Sequence, residues 1–270
     1  MMQFSFHTCG FEGWPLEEVI VHLAKLGYSA CGPTVGPSCH LDPDIITHSQ
    51  LANIKTILAD SGMKVALLNP WRVKGFANMA AEGTAERFYR KAMDMAAALD
   101  CPAVRFLSGA LPAGDQPSWA ASIRALRPLC HYGEQIGVAL AMHNHENTML
   151  DTADKLRLMS SWLESPALKV NLDPANLQIL GNDPCDALRA FRDDLAQVRV
   201  KGRVGRYPYS REHYPGAAGD IVDWDSFFST MHQIGYAGPV ELVHYAWFPN
   251  DYAEACLAWA KSVEARVRGE

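Results

Sequence analysis

The chain has 270 residues, 49% hydrophobic and 20% charged, which suits a globular domain with a sizeable core rather than a disordered or fibrous chain. Its formal charge of −6, with no Lys/Arg block, excludes the basic footprint of a nucleic-acid binder, and no apolar run approaches the ~20 residues of a membrane span. Seven scattered cysteines without a CxxC pair, and no signal-peptide pattern, predict reduced thiols in a cytoplasmic protein without membrane or nucleic-acid partners.

Gln3 to Thr8 alternates Phe4 and Phe6 with polar residues and predicts a first strand. Pro15, Glu17 and Glu18 suit a helix N-terminus; Val19, Leu23 and Leu26 share one face, and Gly27 ends the helix. Tyr28 to Cys31 is the second strand, and a loop rich in Gly, Pro, Ser and Cys follows. Ser49 to Ser61 is helical, Lys64 to Asn69 a third strand, Glu82 to Leu99 a helix and Pro102 to Leu107 a fourth strand. Then come a helix from Ser118 to Ile136 and a fifth strand from Gly137 to His143. A helix capped at Asp151–Asp154 runs through Leu163, and Ala167 to Asp173 is the sixth strand. Asp183 to Phe191 is helical, and Leu195 to Lys201 is the seventh strand. An irregular loop spans Gly202 to Ala218. Trp224 to Ile234 is helical, Gly238 to His244 an eighth strand and Tyr252 to Val267 a last helix.

Eight strand-then-helix units without a composition break, over about the typical ~250 residues, predict a single α/β domain over residues 1–270, a (β/α)8 TIM barrel. An open doubly wound sheet would carry a Gly-rich phosphate turn. Cys9-Gly10-Phe11-Glu12-Gly13-Trp14 lacks GxGxxG spacing, so no nucleotide cofactor is expected. No P-loop, HExxH or GxSxG is present.

Barrel chemistry sits where strands end. The residues there are His7, Asn69, Ser108, His143 with His145, Asp173 with Asn176, Arg199 with Lys201, and Glu241 with His244. Apolar strands that stop abruptly in His143-Asn144-His145-Glu146 and in Asp173 mark a site more strongly than a surface loop would. Arg199 and Lys201 share a face by two-residue alternation and make a cationic patch able to polarise a carbonyl or grip a carboxylate or phosphate. If Glu241 faces inward it sits deep and needs a cationic partner such as Arg199 or Lys169; if outward, His244 is the site residue. Trp14, Trp71, Tyr207, Tyr209, Tyr245, Trp247 and Phe248 follow strands and suit stacking on sugar rings. Cys9 is a minor candidate nucleophile.

Asp173-Pro174-Ala175-Asn176 followed by Gly181-Asn182-Asp183-Pro184 resembles the D-P-x-N…G-x-D-P stretch of the xylose-isomerase-like TIM barrels, the broad sugar phosphate isomerase/epimerase group. Val198-Arg199-Val200-Lys201 is similar to that family's H-x-K strand, Gly235 to Pro239 to its G-Y-x-G turn, and Leu140 to His145 to its E-x-H strand. The resemblance implies a divalent metal (Mn, Mg, Co or Zn) held by Glu, Asp, His and Glu of strands five to eight, with His143 and Asp173 as ligands here. His145, Glu146 or Glu241 would complete the set. This chain departs from the pattern. His143 stands where the family has Glu, Arg199 where it has His, and Val243 at or near the last Glu. A guanidinium stays protonated and cannot ligate, so the metal site is altered.

The resemblance implies an isomerase- or epimerase-like enzyme using enediol-type proton transfer on a small sugar, polyol or keto-acid. His143, Asp173, Arg199, Lys201 and Glu241 are then the catalytic candidates. His7, His145, Asn176, Trp71, Tyr245 and His244 are the candidates for holding a carbohydrate-like substrate. The alternatives are a dehydratase or lyase of the inosose-dehydratase type and a non-catalytic barrel that binds a sugar-like ligand or a partner. Homo-oligomerisation is left open.

Overall fold

The computed structural model describes residues 2–109, 116–243 and 252–269. Its strands are β1 (Gln3–His7), β2 (Ala30–Gly32), β3 (Thr34–Val35), β4 (Lys64–Val65), β5 (Asn69–Pro70), β6 (Ala103–Leu107), β7 (Ala139–His143), β8 (Leu168–Leu172), β9 (Leu195–Val200), β10 (Gly202–Val204), β11 (Arg211–His213) and β12 (Pro239–Leu242). Eight of these form a parallel sheet in the order β4-β2-β1-β12-β9-β8-β7-β6. The backbone past β4 closes it: Leu68 N donates to Ala103 O (3.1 Å) and Arg105 N to Leu68 O (2.8 Å). The expected α/β TIM barrel is the fold.

The helices are α1 (Leu16–Leu26), α2 (His48–Asp60), α3 (Phe76–Ala81), α4 (Ala85–Ala98), α5 (Gln116–Ile136), α6 (Ala153–Leu163), α7 (Pro174–Gln178), α8 (Pro184–Ala190), α9 (Trp224–Gln233) and α10 (Tyr252–Arg268). Their ends follow local chemistry. Thr47 and Gln50 form a capping box at α2, Thr152 caps α6, Asp183 caps α8, Asp223 caps α9, and Gly27 closes α1 at φ 94°. No helix among the described residues is long and apolar enough to cross a membrane.

Strand alternation sorts the barrel into two environments. Phe4, Phe6, Val104, Phe106, Leu140, Met142, Val170, Leu172, Val198, Val200, Val240 and Leu242 belong to one apolar core shared with the helices. The opposite parity carries Ser5, His7, Arg105, His143, Asn171, Gln197, Arg199 and Glu241, all buried. Barrel interiors ordinarily hold bulky branched apolar side chains. Here, among the described residues, a small apolar cluster of Leu67, Ala103 and Ala141 packs with Ala139 and Ala196, and the strands' carboxyl half is polar. Such a lining costs stability unless its groups find partners, so it marks where function constrains the sequence.

The expected elements differ from the structure in three places. The third strand is split into β4 and β5, because β5 pairs with β3 at the mouth instead of continuing the sheet. The loop after the seventh strand contains the antiparallel hairpin β10–β11. Two short helices were not expected, α7 just after the end of β8 and α3 with five residues between it and the end of β5.

Candidate functional site

β7 ends in His143, 1% exposed, whose Nδ1 lies 3.4 Å from Asn171 O. A carbonyl only accepts, so Nδ1 carries the proton and the Nε2 of the neutral ring carries the lone pair. Burial lowers the His143 pKa well below the imidazole range, and the charges of Arg105, Arg199 and Lys201 push the same way. His145 is fixed likewise. Its Nδ1 donates to Glu146 O at 2.9 Å, and burial, with Lys201, lowers its pKa. The two rings lie 5.8 Å apart, centroid to centroid.

Between them, Asn144 locks the ends of β7 and β8 together. Its Nδ2 donates to Asp173 O and its Oδ1 accepts from Asp173 N, both at 2.8 Å. Asp173 caps α7 through Asn176 N (3.0 Å), and its second carboxylate oxygen is 3.5 Å from Lys201 Nζ. Lys201 is also held by Glu212 of β11 at 2.6 Å.

Deeper in the barrel, Glu241 points inward. It accepts from Asn69 Nδ2 at 3.0 Å and from Arg199 Nη1 at 3.2 Å, one register pair along the sheet. Burial pushes its carboxyl upward, against the pull of Arg199. Gly32 makes the room: a Cβ there would stand 2.0 Å from Glu241 Oε1 and 2.6 Å from Asn69 Nδ2. The parity left open by the sequence is thus inward, with Arg199 as partner. Lys169 pairs with Asp194 instead (2.8 Å).

A cavity of about 350 Å3 opens above these groups. It is lined by His143, His145, Arg199 and Lys201, by Arg105, Leu107 and Tyr89, and by the segment Pro70-Trp71-Arg72-Val73-Lys74. Arg105 Nη2 donates to Pro70 O at 2.8 Å, drawing its guanidinium under that segment. Trp71 and Arg72 also wall a second cavity of about 660 Å3, with Trp14 and His40, and Glu12 pins both by accepting from Trp71 Nε1 (3.2 Å) and Arg72 Nη2 (2.6 Å).

Some expected site residues are also tied into the frame. Asn176 is fully buried; its amide donates to Asn144 O (3.0 Å) and its carbonyl accepts from Arg203 Nη1 (3.0 Å). His7 is buried against Trp71, its Nδ1 accepting from Cys9 N at 3.1 Å. The Cys9 thiol is pushed up to about 12 by burial, which makes it a poor nucleophile. His244, Tyr245, Trp247 and Phe248 lie outside the described residues.

Arg105, Arg72, Lys74 and Arg203 were not singled out from the sequence. Arg105 was detectable as a lone charge between Val104 and Phe106 of a buried strand, where only a pairing or a ligand makes it tolerable. Arg203 bonds Glu146 closely and donates to Ser210 Oγ at 2.9 Å, tethering the β10–β11 hairpin to the mouth. Burial would raise the Glu146 pKa, but Arg203 holds it down at about 2.

The donors do not fit the family's divalent ion. Glu241 is engaged by Arg199 and Asn69, and Asp173 by Asn176 N and Lys201. Of the two ligands expected, His143 offers its Nε2, while the second oxygen of Asp173, which accepts no hydrogen bond, faces the Lys201 ammonium at 3.5 Å, where a second cation would be repelled. The Arg199 guanidinium beside it opposes a cation. No group of three or more His, Cys, Asp or Glu able to hold a metal occurs among the described residues.

The family profile described as "Xylose isomerase-like TIM barrel" matches residues 20–263. The uncharacterized protein YfiH of Bacillus subtilis (strain 168) is 25% identical over 294 residues, 89% of this chain and 92% of its own. Among solved structures, an L-ribulose 3-epimerase superposes with a TM-score of 0.81 at 15% identity, covering 99% of this chain and 96% of its own. A probable 3-DHS dehydratase, AsbF of Bacillus anthracis, does so at 0.78 and 16%, covering 96% and 99%. At such identities the likeness is one of fold.

Proposed function

The chain belongs to the xylose isomerase-like TIM barrel family, and we propose that it is an isomerase- or epimerase-like enzyme that moves a proton between adjacent carbons of a small carbohydrate-like carbonyl compound without a resident divalent ion. The support is one juxtaposition: a neutral His143 ring with its Nε2 lone pair toward the cavity, beside the cations of Arg199 and Lys201. In this scheme His143 takes the proton from the carbon next to the carbonyl. The C–H electron pair forms the enediolate double bond, and the carbonyl π pair moves to oxygen. Arg199 and Lys201 stabilise that oxyanion, the task of a Lewis acid elsewhere in the family. Return of that proton from the His143 imidazolium to the former carbonyl carbon, as the adjacent hydroxyl passes its own proton to the enediolate oxygen and closes to the new carbonyl, completes an isomerisation. Asp173 and Glu241 act as positioning groups, holding Lys201 and Arg199.

The second histidine favours one further reading, dehydration, in which His143 takes the proton from carbon and hands it to a β-hydroxyl that departs as water, with His145 Nε2 accepting a hydrogen bond from that hydroxyl beforehand. Loss of water would show as a new unsaturated carbonyl absorbance.

The test is solvent exchange. Wild-type protein in deuterated water should place deuterium next to the carbonyl of a ketose or keto-acid, followed by NMR. His143→Gln should reduce that exchange by about 10²–10⁴-fold. A wild-type protein that binds panel members in calorimetry yet exchanges none of their hydrogens would leave a binding barrel as the correct description.

A further inference from the structure

We infer that the substrate carries a permanent oxyanion, a carboxylate or a phosphate, and that the Pro70–Lys74 side of the cavity receives it. The inference rests on the cavity being the substrate site, as proposed above, and adds the charge class of what enters. Five cationic side chains line it, Arg72, Lys74, Arg105, Arg199 and Lys201, while the described residues of the lining include no carboxylate. The acids that balance these cations bind them from other directions. Glu241 holds Arg199 from within the barrel, Glu212 holds Lys201 from the β11 hairpin, and Glu12 and Glu82 hold Arg72 and Lys74 from the exposed rim.

In the scheme above, Arg199 and Lys201 serve the oxyanion that develops during reaction. Arg105 donates to Pro70 O at 2.8 Å, which ties it to the segment that carries Arg72 and Lys74. Cations in excess of those the reaction uses fit a substrate with two demands, one charge that develops during reaction and one that is always present. A neutral sugar would make no use of the charge on Arg72, Lys74 and Arg105. At about 350 Å3, the cavity suits a small acid or phosphorylated monosaccharide.

The experiment is calorimetry on the wild-type protein with matched pairs: D-glucose against D-glucuronate, and D-fructose against D-fructose 6-phosphate, with inorganic phosphate alongside. The charged member of at least one pair should bind about tenfold or more tightly than its neutral partner, and the pair that shows the gap identifies the oxyanion. The gap should narrow between ~0.05 and ~0.5 M salt. Arg72→Gln and Lys74→Gln, exposed positions whose change spares the fold, should each weaken the charged ligand and leave the neutral one unaltered. Equal affinities within both pairs, no anion binding up to roughly 10 mM, or a preference untouched by salt and by both substitutions overturns the inference. Preference without deuterium exchange would keep it and remove the proposed reaction; exchange into neutral sugars without preference would do the reverse.

Discussion

Arg199 is the residue on which the interior turns. It is 1% exposed and, with Glu241 at 0%, forms an ion pair in the one place where a barrel would otherwise pack aliphatic groups. Such a pair adds little net stability over a hydrophobic pair, but losing one member leaves the other charge buried without its counter-ion. Glu241→Ala should therefore cost about 3–5 kcal/mol in urea unfolding. The double change Arg199→Leu with Glu241→Leu should recover most of that loss yet show no proton exchange, separating structural from chemical use of the pair. A double variant as unstable as the single one would mean that the polar interior is needed for folding itself.

Among the elements, β2 shows how closely the barrel is fitted to Glu241. Gly32 has ordinary backbone geometry, so it is space, not conformation, that demands glycine there. Gly32→Ala should destabilise by about 1–3 kcal/mol through overpacking against the Glu241 carboxylate, measured by denaturant midpoint. The strands were legible in the sequence because their outward faces keep a strict apolar alternation, as in Val104/Phe106 and Leu140/Met142. The hairpin β10–β11 was not, because its residues, from Gly202 to His213, show no such pattern. Its order comes from tertiary ties, Lys201 to Glu212 and Arg203 to Glu146 and Asn176. Likewise the sequence marked Asp173 and Asn176 as site residues by their place at a strand end, but a helix cap and a reciprocal amide lock use strand ends too. The coordinates add these frame contacts, which the sequence did not show.

Across the barrel, burying neutral imidazoles makes stability depend on pH. The His7 and His143 pKa values are both lowered well below the ordinary imidazole value near 6.5 by burial, with Arg199 and Arg105 adding to it. Below that value the unfolded chain binds protons that the native state refuses, so stability present above about pH 6.5 falls as the solution is acidified toward the folded-state values. The loss should approach about 1.4 kcal/mol per pH unit for each histidine, read from unfolding midpoints between pH 7 and 5. A flat profile would mean that both rings protonate in place. The wall between the two mouth cavities has a different bearing, on how the protein could change. Trp71 and Arg72 are a partition one segment thick, pinned by Glu12 and contributed by a loop rather than by the closed sheet. Exchange of that indole for a smaller side chain should widen the way between the two chambers while the strands keep their register. The range of substrate sizes this barrel admits would then be open to evolutionary adjustment, and to redesign, through one loop residue.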